Sequence, residues 1–385
     1  MRILHTSDWH VGRSFHGRDL LSDQEQVLAS IAALVAERAI DVVLVAGDLY
    51  DRALPSAEAV GVCHRALRLI RDAGASIVVI SGNHDSASRL GFGAEFLAAG
   101  GLYVRSDPAR VGSPVLLADS HGEVAVYGVP YLEPDTARHA LGDPEARGHE
   151  GVLRVALAAV RADLAERPGV RSVLLAHAFV VGGEGCESER TISVGGIETV
   201  PAALFDGLDY VALGHLHGVQ QPDATRPWLR YSGSPLAYSF SEARQRKSVL
   251  IAELGAGGLD SVSRVELPIP RALSSLTGTL EGLLSDPEHA FAEDHYVAAV
   301  LTDPARPLDA LRRLQTRFPH AVTLEWQPLG GRPESGPPLA AVTRRDDTEV
   351  AVSFVSYVRN TGADQSERDL LGAAFEAQRV AEAAR

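Results

Sequence analysis

Lysine is almost absent from this chain. Of 36 basic residues among 385 only Lys247 is a lysine, so nearly all positive charge is arginine. A GC-rich genome accounts for that bias more simply than an adaptation to phosphate would. Cysteine is nearly as scarce. Cys63 and Cys186 are too few for a disulfide framework and lack metal-type spacing, so both are expected to be reduced thiols. No run of about 18 uncharged apolar residues occurs, which argues against a membrane span. The first residues read as a short strand, where a secretory leader would have a basic segment and then an apolar one. We therefore expect a cytoplasmic protein. No Walker-type glycine loop is present, so any dependence on ATP would have to come from another chain. The net charge of −14 argues against nucleic-acid binding by the surface as a whole. It leaves room for a local basic path.

What the chain does have is apolar residues in ordered patterns. Hydrophobic residues make up 45% of it, enough for a sizeable core, and its length allows two or three domains of roughly 100–200 residues. The first part alternates strand and helix patterns. Continuous apolar runs at Arg2–His5, Val42–Ala46, Ile77–Ile80, Val124–Val129, Val173–Ala176, Tyr210–Leu213, Leu229–Ser232 and Ser248–Leu254 read as strands. Helical spacing covers Asp23–Arg38, through Val27, Ile31, Leu34 and Val35, and also Ser56–Ala73, with Ser56 as its cap. Repeated βαβ units with such strands predict buried sheets flanked by helices. A second unit begins near Arg271, with strand Tyr296–Thr302, helix Leu308–Phe318 and strand Ala321–Gln327. The Gly- and Pro-rich stretch 330–345 reads as a linker. The tail 346–385 follows, with helical spacing over Ser366–Arg385. Its apolar face has to dock either on its own chain or on a partner, because so short a helix is marginal in water. The isolated His289, His295 and His320 are assigned no catalytic role.

Five short patches share one chemistry. They are Asp8-Trp9-His10, Gly47-Asp48, Gly82-Asn83-His84-Asp85, His177 and Gly214-His215-Leu216-His217. Each follows a strand pattern, and α/β folds gather their sites at the carboxyl ends of neighbouring strands. On extended backbone the i, i+2 spacing would aim Asp8 with His10, and His215 with His217, toward one side. Asp48 closes the second strand, and its carboxylate can bridge two cations where an imidazole cannot. The set Asp8, His10, Asp48, Asn83, His177, His215 and His217 suits a pair of divalent ions, with Mn²⁺, Fe²⁺ or Zn²⁺ admitted by ligand softness. Two ions roughly 3.5–4 Å apart activate water at a phosphoryl centre. The expected reaction is therefore phosphoester hydrolysis without a protein nucleophile.

His84 stands beside a ligand and is expected to face the substrate, stabilising the transition state or protonating the leaving oxygen. Asp85 would orient His84, or else cap the next helix. Gly47, Gly82 and Gly214 are expected to let the backbone turn beneath a crowded site. Any one patch alone is a weak signal, since an Asp-x-His or a Gly-Asp is commonly just a turn. All five in this order are far harder to explain by chance.

These patches resemble the calcineurin-like metallophosphoesterase superfamily, an α/β fold with a helix-flanked β-sandwich. Longer stretches are similar to the nuclease-subunit family of bacterial SbcCD complexes: Arg2 to Arg13, Ser188 to Gly196, Asp209 to His217 and Tyr231 to Glu242. The resemblance implies that Asp8, His10 and His217 hold one ion, that Asn83, His177 and His215 hold the other, and that Asp48 bridges them. It implies Mn²⁺ as the usual metal. It further implies ATP-dependent exonuclease action on double-stranded DNA and endonuclease action on single strands and hairpins, in repair, recombination and replication. The ATP would be hydrolysed by an SMC-like ATPase of SbcC type. By the same resemblance residues 1–270 form the nuclease domain, 271–329 a small α/β cap, and 346–385 a helical tail gripping the ATPase. The family dimerises within a heterotetramer, and helices Asp23–Arg38 and Ser56–Ala73 are the candidates here, though their apolar faces could equally be core. Arg13, His16, Arg18, Arg89 and Arg190 are candidate phosphate contacts; ordinary solvated charge is the competing reading for each. Two other functions compete: a small-molecule phosphodiesterase or phosphatase on the same metal core, and a binding protein with a dead metal site.

Overall fold

The computed structural model describes residues 1–189, 199–328, 347–359 and 361–383. The linker 330–345 and Arg190 lie outside them. The chain divides into two compact units, Met1–Pro270 and Arg271–Arg385.

Two sheets build the first unit. The larger runs in the order Gly258–Glu266, Ser248–Gly255, Arg2–Thr6, Val42–Ala46, Ser76–Ile80, Leu102–Arg105. Its last four strands are parallel, and its first three alternate in direction. The second sheet runs in the order Leu229–Tyr231, Tyr210–Gly214, Arg171–His177, Gly122–Val129, Val115–Asp119, parallel except at its last pair. Ile3, Val42, Leu44, Val78 and Ile80 of one sheet share a core with Val124, Val126, Val173, Leu175 and Tyr210 of the other. The strand period of two sends the alternate residues outward. Ala125, Tyr127, Val129 and Leu174 pack there with Val152, Leu153, Ala156, Leu157 and Val160 of helix Gly148–Ala165. Both faces are thus apolar, which is why these strands are continuous Val/Leu/Ile runs.

Helix Leu21–Glu37 buries Val27, Leu28, Ile31 and Val35 in the chain's own core. Its apolar face is thus core, the second of the two readings given for it. Helix Ala57–Asp72 begins at Ser56, whose hydroxyl accepts from the Ala59 N–H at 3.2 Å, and it leaves Val60 and Leu69 exposed. After the first patch the chain forms a two-stranded hairpin, Ser14–Phe15 with Arg18–Asp19. His16 and Gly17 at its tip both have positive φ, 47° and 78°, the geometry of a two-residue type I′ turn.

The second unit has three parallel strands, Leu273–Gly278, Tyr296–Leu301 and Ala321–Trp326. Helices Leu280–Ser285 and Ala310–Leu314 help them enclose a separate core around Leu283, Leu301, Leu314 and Phe318. Helices Asp347–Arg359 and Gln365–Ala383 complete it. Among the described residues no helix is long and apolar enough to cross a membrane.

Candidate metal centre

Each patch sits where a strand of the two parallel arrays ends. Asp8 and His10 follow Arg2–Thr6, Asp48 follows Val42–Ala46, and Asn83 and His84 follow Ser76–Ile80. His177 ends its strand in the second sheet, and His215 and His217 follow the neighbouring one. The extended-backbone expectation for the i, i+2 pairs does not hold. Asp8, His10, Asp48 and His215 have φ of 53°, 45°, 51° and 104°. Left-handed backbone costs a non-glycine residue on the order of 1–3 kcal/mol and persists where the surroundings impose it. Here strand-end hydrogen bonds impose it: Asp8 N–H to the Gly47 carbonyl at 3.0 Å and His10 N–H to the Asp48 carbonyl at 2.9 Å. Asp8 and His10 still converge, through left-handed backbone and not through a pleat.

Gly82 and Gly214 are needed for proximity more than for turning. A Cβ on Gly82 would lie 2.1 Å from Asp48 Oδ1, and one on Gly214 1.8 Å from the Ala46 carbonyl oxygen. Gly47 adds a positive φ of 92° to a clash with His177.

The donor atoms converge. Those of Asp8, His10 and His217 lie within 4.8 Å of one another, as do those of Asp8, Asp48 and His177. Asp48 Oδ2 stands 3.6 Å from His10 Nε2 and 3.5 Å from His177 Nε2. That is a bridging position between two half-sites. Asn83 Oδ1 joins the second half, 2.9 Å from His177 Nε2. His215 sets its ring 5.4 Å from that of His177 and gives its backbone N–H to the Asp8 carboxylate at 3.0 Å.

These residues fit a pair of divalent ions on their chemistry. Asp8, His10, Asp48, His177, His215 and His217 are all buried. Burial, and then the Asp48 charge, push the Asp8 carboxyl well above its ordinary range. Burial likewise holds the imidazoles neutral: His177 falls to about 4, and His10 and His215 fall well below the ordinary value. Neutral imidazoles beside crowded buried carboxylates are what a cation needs and what its charge would relieve. His10 Nε2 and His217 Nε2 approach to 3.1 Å, a spacing that suits two ligands of one ion.

His84 lies in the same cluster. Its ring centroid is 4.6 Å from that of His10, and its atoms fall within reach of His10 and Asp48. Its Nδ1 is held at 2.8 Å by the carbonyl of Asp51, so Nδ1 carries the proton. Both readings of Asp85 are corrected here. Its carboxylate accepts from the backbone N–H groups of Gly82, Leu49 and Tyr50 at 3.0–3.1 Å, so it neither orients the His84 ring nor caps the next helix. It pins the second and third patches together instead. Burial, followed by the Asp48 charge, raises its pKa to about 6.

Sequence reasoning missed the residues behind the ligands. His217 Nδ1 meets Ser188 Oγ at 2.7 Å, and Glu242, Lys247 and Tyr238 lie beyond. Gln24 gives its amide to the His10 carbonyl at 2.8 Å. The signals were faint: Ser188, Tyr238 and Glu242 fall in the family-like stretches, and Lys247 is the sole lysine.

Of the candidate phosphate contacts, Arg13 is turned inward. It donates to the Ser188 carbonyl at 2.6 Å and stacks over Tyr238 at 5.1 Å. His16 and Arg18 are exposed at the hairpin, and Arg89 is exposed on the short helix Ala87–Leu90 after the third patch.

A calcineurin-like phosphoesterase from Bacillus subtilis, YfkN, is similar at 15% identity over 69% of this chain and 90% of its own, with a TM-score of 0.37. A dimetal phosphatase from Danio rerio is similar at 14% identity over 70% and 99%, with a TM-score of 0.39. The family described as "Calcineurin-like phosphoesterase" matches residues 1–219, more than half of the chain. The protein belongs to the calcineurin-like phosphoesterase family.

Proposed function

We propose that this phosphoesterase is a two-metal DNA nuclease, the nuclease subunit of an SbcCD-type assembly. The observation that carries the phosphodiesterase part is the Asp48 oxygen set between His10 and His177, with His84 beside it. Asp8, His10 and His217 would hold one ion; Asn83, His177 and His215 would hold the other; Asp48 would be shared. Mn²⁺ is the proposed metal. The chemistry such ions supply is Lewis-acid polarisation of phosphoryl oxygens and activation of water. The chain's own residues do the rest. His84, held at Nδ1 by the Asp51 carbonyl, would act as an imidazolium that gives its Nε2 proton to the leaving oxygen. Asp85 holds the backbone of both patches rigid around it.

The nuclease reading is supported by the family-like stretches, since their Ser188 and Glu242 stand directly behind His217. Exposed His16, Arg18 and Arg89 would track phosphates, which gives affinity without reading sequence. The partner would be an SMC-like ATPase of SbcC type bound by the C-terminal helices, within a heterotetramer built on a homodimer.

The test is cleavage of a labelled hairpin DNA across a Mn²⁺ titration, with bis-p-nitrophenyl phosphate alongside and His84→Ala as control. Cleavage of both substrates, lost in the variant, is expected. Hydrolysis of the small diester with DNA left intact, even after the ATPase is added, would favour a small-molecule phosphodiesterase.

A further inference from the structure

Three histidines of the centre have Nδ1 held from behind, and one is held differently from the others. His177 Nδ1 meets the Ala46 carbonyl at 2.9 Å and His84 Nδ1 meets the Asp51 carbonyl at 2.8 Å. Those acceptors are backbone and cannot change. His217 Nδ1 instead meets a side chain, Ser188 Oγ, at 2.7 Å. Ser188 Oγ lies 2.6 Å from Glu242 Oε1, and Glu242 Oε2 lies 2.5 Å from Lys247 Nζ. Ser188, Glu242 and Lys247 are all buried, Glu242 completely.

The protons along this chain are determined by chemistry. An ammonium at 2.5 Å keeps Glu242 a carboxylate, which only accepts. The single Ser188 proton therefore goes to Glu242. Ser188 Oγ must then accept, so His217 must carry its proton on Nδ1. Nε2 is left with its lone pair, directed at His10 Nε2 3.1 Å away. Lys247 also donates to the His217 carbonyl at 2.9 Å and to Ser234 Oγ at 3.0 Å. One cation thus orders both the backbone and the ring of this residue.

We propose that Ser188, Glu242 and Lys247 are positioning residues of the metal centre, a relay that locks His217 in the tautomer and orientation a metal ligand requires. The proposal deepens the two-metal reading and, for its effect on metal binding, rests on it. Outer-shell partners that fix a ligating imidazole typically account for 10–100-fold in metal affinity.

The experiment uses full-length protein with ¹⁵N-labelled histidine, metal-free, with the ring nitrogens of His217 identified by their loss in His217→Asn. The wild type should show a protonated Nδ1 and an unprotonated Nε2. Ser188→Ala removes one hydroxyl and leaves the Glu242–Lys247 pair intact. It should keep the wild-type circular dichroism, lose that nitrogen signature, and bind one of two Mn²⁺ ions about 10–100-fold more weakly. Ser188→Thr should restore both. The charge-neutral pair Glu242→Gln with Lys247→Met should lose the signature as Ser188→Ala does. A wild-type His217 protonated on Nε2, or a Ser188→Ala protein with unchanged signature and affinity, would overturn the relay. An unchanged signature in the double variant would reduce Glu242 and Lys247 to structural roles. A wild type that binds no Mn²⁺ would overturn the two-metal reading alone, because the tautomer is read without metal.

Discussion

Asp48 is the residue on which both half-sites depend. One carboxylate oxygen faces His10 and His177, and the other accepts the His84 backbone N–H at 2.8 Å. Asp48→Ala should therefore remove both ions together and not one of them. Metal analysis should show near-zero Mn²⁺, and hydrolysis of bis-p-nitrophenyl phosphate should fall by more than the roughly 100-fold seen for losing an outer-shell partner. Cleavage at the wild-type rate would sink the bridging role. His84→Ala should behave differently: metal content kept, turnover reduced about 10²–10⁴-fold as for loss of a general acid. Loss of metal in that variant would make His84 a ligand instead. At this scale the sequence was most legible. Asp, Asn and His at strand ends are metal-binding residue types wherever they fall, so the cluster could be read from them. What it did not reveal was how they are held. Left-handed φ at Asp8 and His10 depends on hydrogen bonds to another strand's end. Of the three N–H groups that claim Asp85, one is 3 residues away and the others are 35 and 36. Neither has a local signature.

Elements were legible where burial on both faces leaves only Val, Ile and Leu to choose from. Val42–Ala46 and the core of Arg171–His177 are of this kind. Leu102–Arg105 was not seen, since four residues carrying a tyrosine and an arginine make no periodic signal. Helix Gly148–Ala165 was missed because it opens on a glycine with φ of 64° and its N-cap Arg147 makes no side-chain cap bond. One polar exception inside the sandwich gives a prediction. His5, on strand Arg2–Thr6, reaches across to the second sheet, with Nδ1 at 2.9 Å from the Tyr210 hydroxyl and Nε2 at 3.1 Å from the Leu213 carbonyl. Burial lowers its pKa from 6.5 to about 3. The unfolded chain then takes up a proton near 6.5 that the folded chain refuses until about 3. Stability from this group is complete above that window and is lost as pH falls through it, by up to about 1.4 kcal/mol per pH unit. Urea unfolding of the metal-free protein between about pH 7 and 5 should show a shallower decline for His5→Gln than for wild type, though the variant is less stable overall. Equal slopes would refute the buried neutral imidazole.

At the scale of the whole molecule, the first unit carries the chemistry and the C-terminal helices carry unspent apolar surface. Phe354 is 63% exposed and Leu370 72% exposed, on helices Asp347–Arg359 and Gln365–Ala383. Those helices meet each other and are tied by an Arg359–Glu367 ion pair. A helix pair of this length with large apolar side chains facing water is marginal alone and gains by docking. With a net charge of −14, the chain would also need its DNA contacts confined to local features such as the His16–Arg18 hairpin. Deleting residues 346–385 separates these roles. Among the described residues, the buried core of the three-stranded sheet draws on Leu276, Leu283, Val297, Leu314 and Phe318 and on none past 345, so the truncated chain should keep that core. We expect it to retain Mn²⁺-dependent cleavage of hairpin DNA at a rate near that of the full chain. We expect it to lose co-elution with an SbcC-type ATPase in size-exclusion chromatography, and with it ATP-dependent degradation of duplex ends. A truncated chain that still forms the complex would place the ATPase contact elsewhere. One that loses hairpin cleavage as well would show that the helices serve the catalytic unit itself.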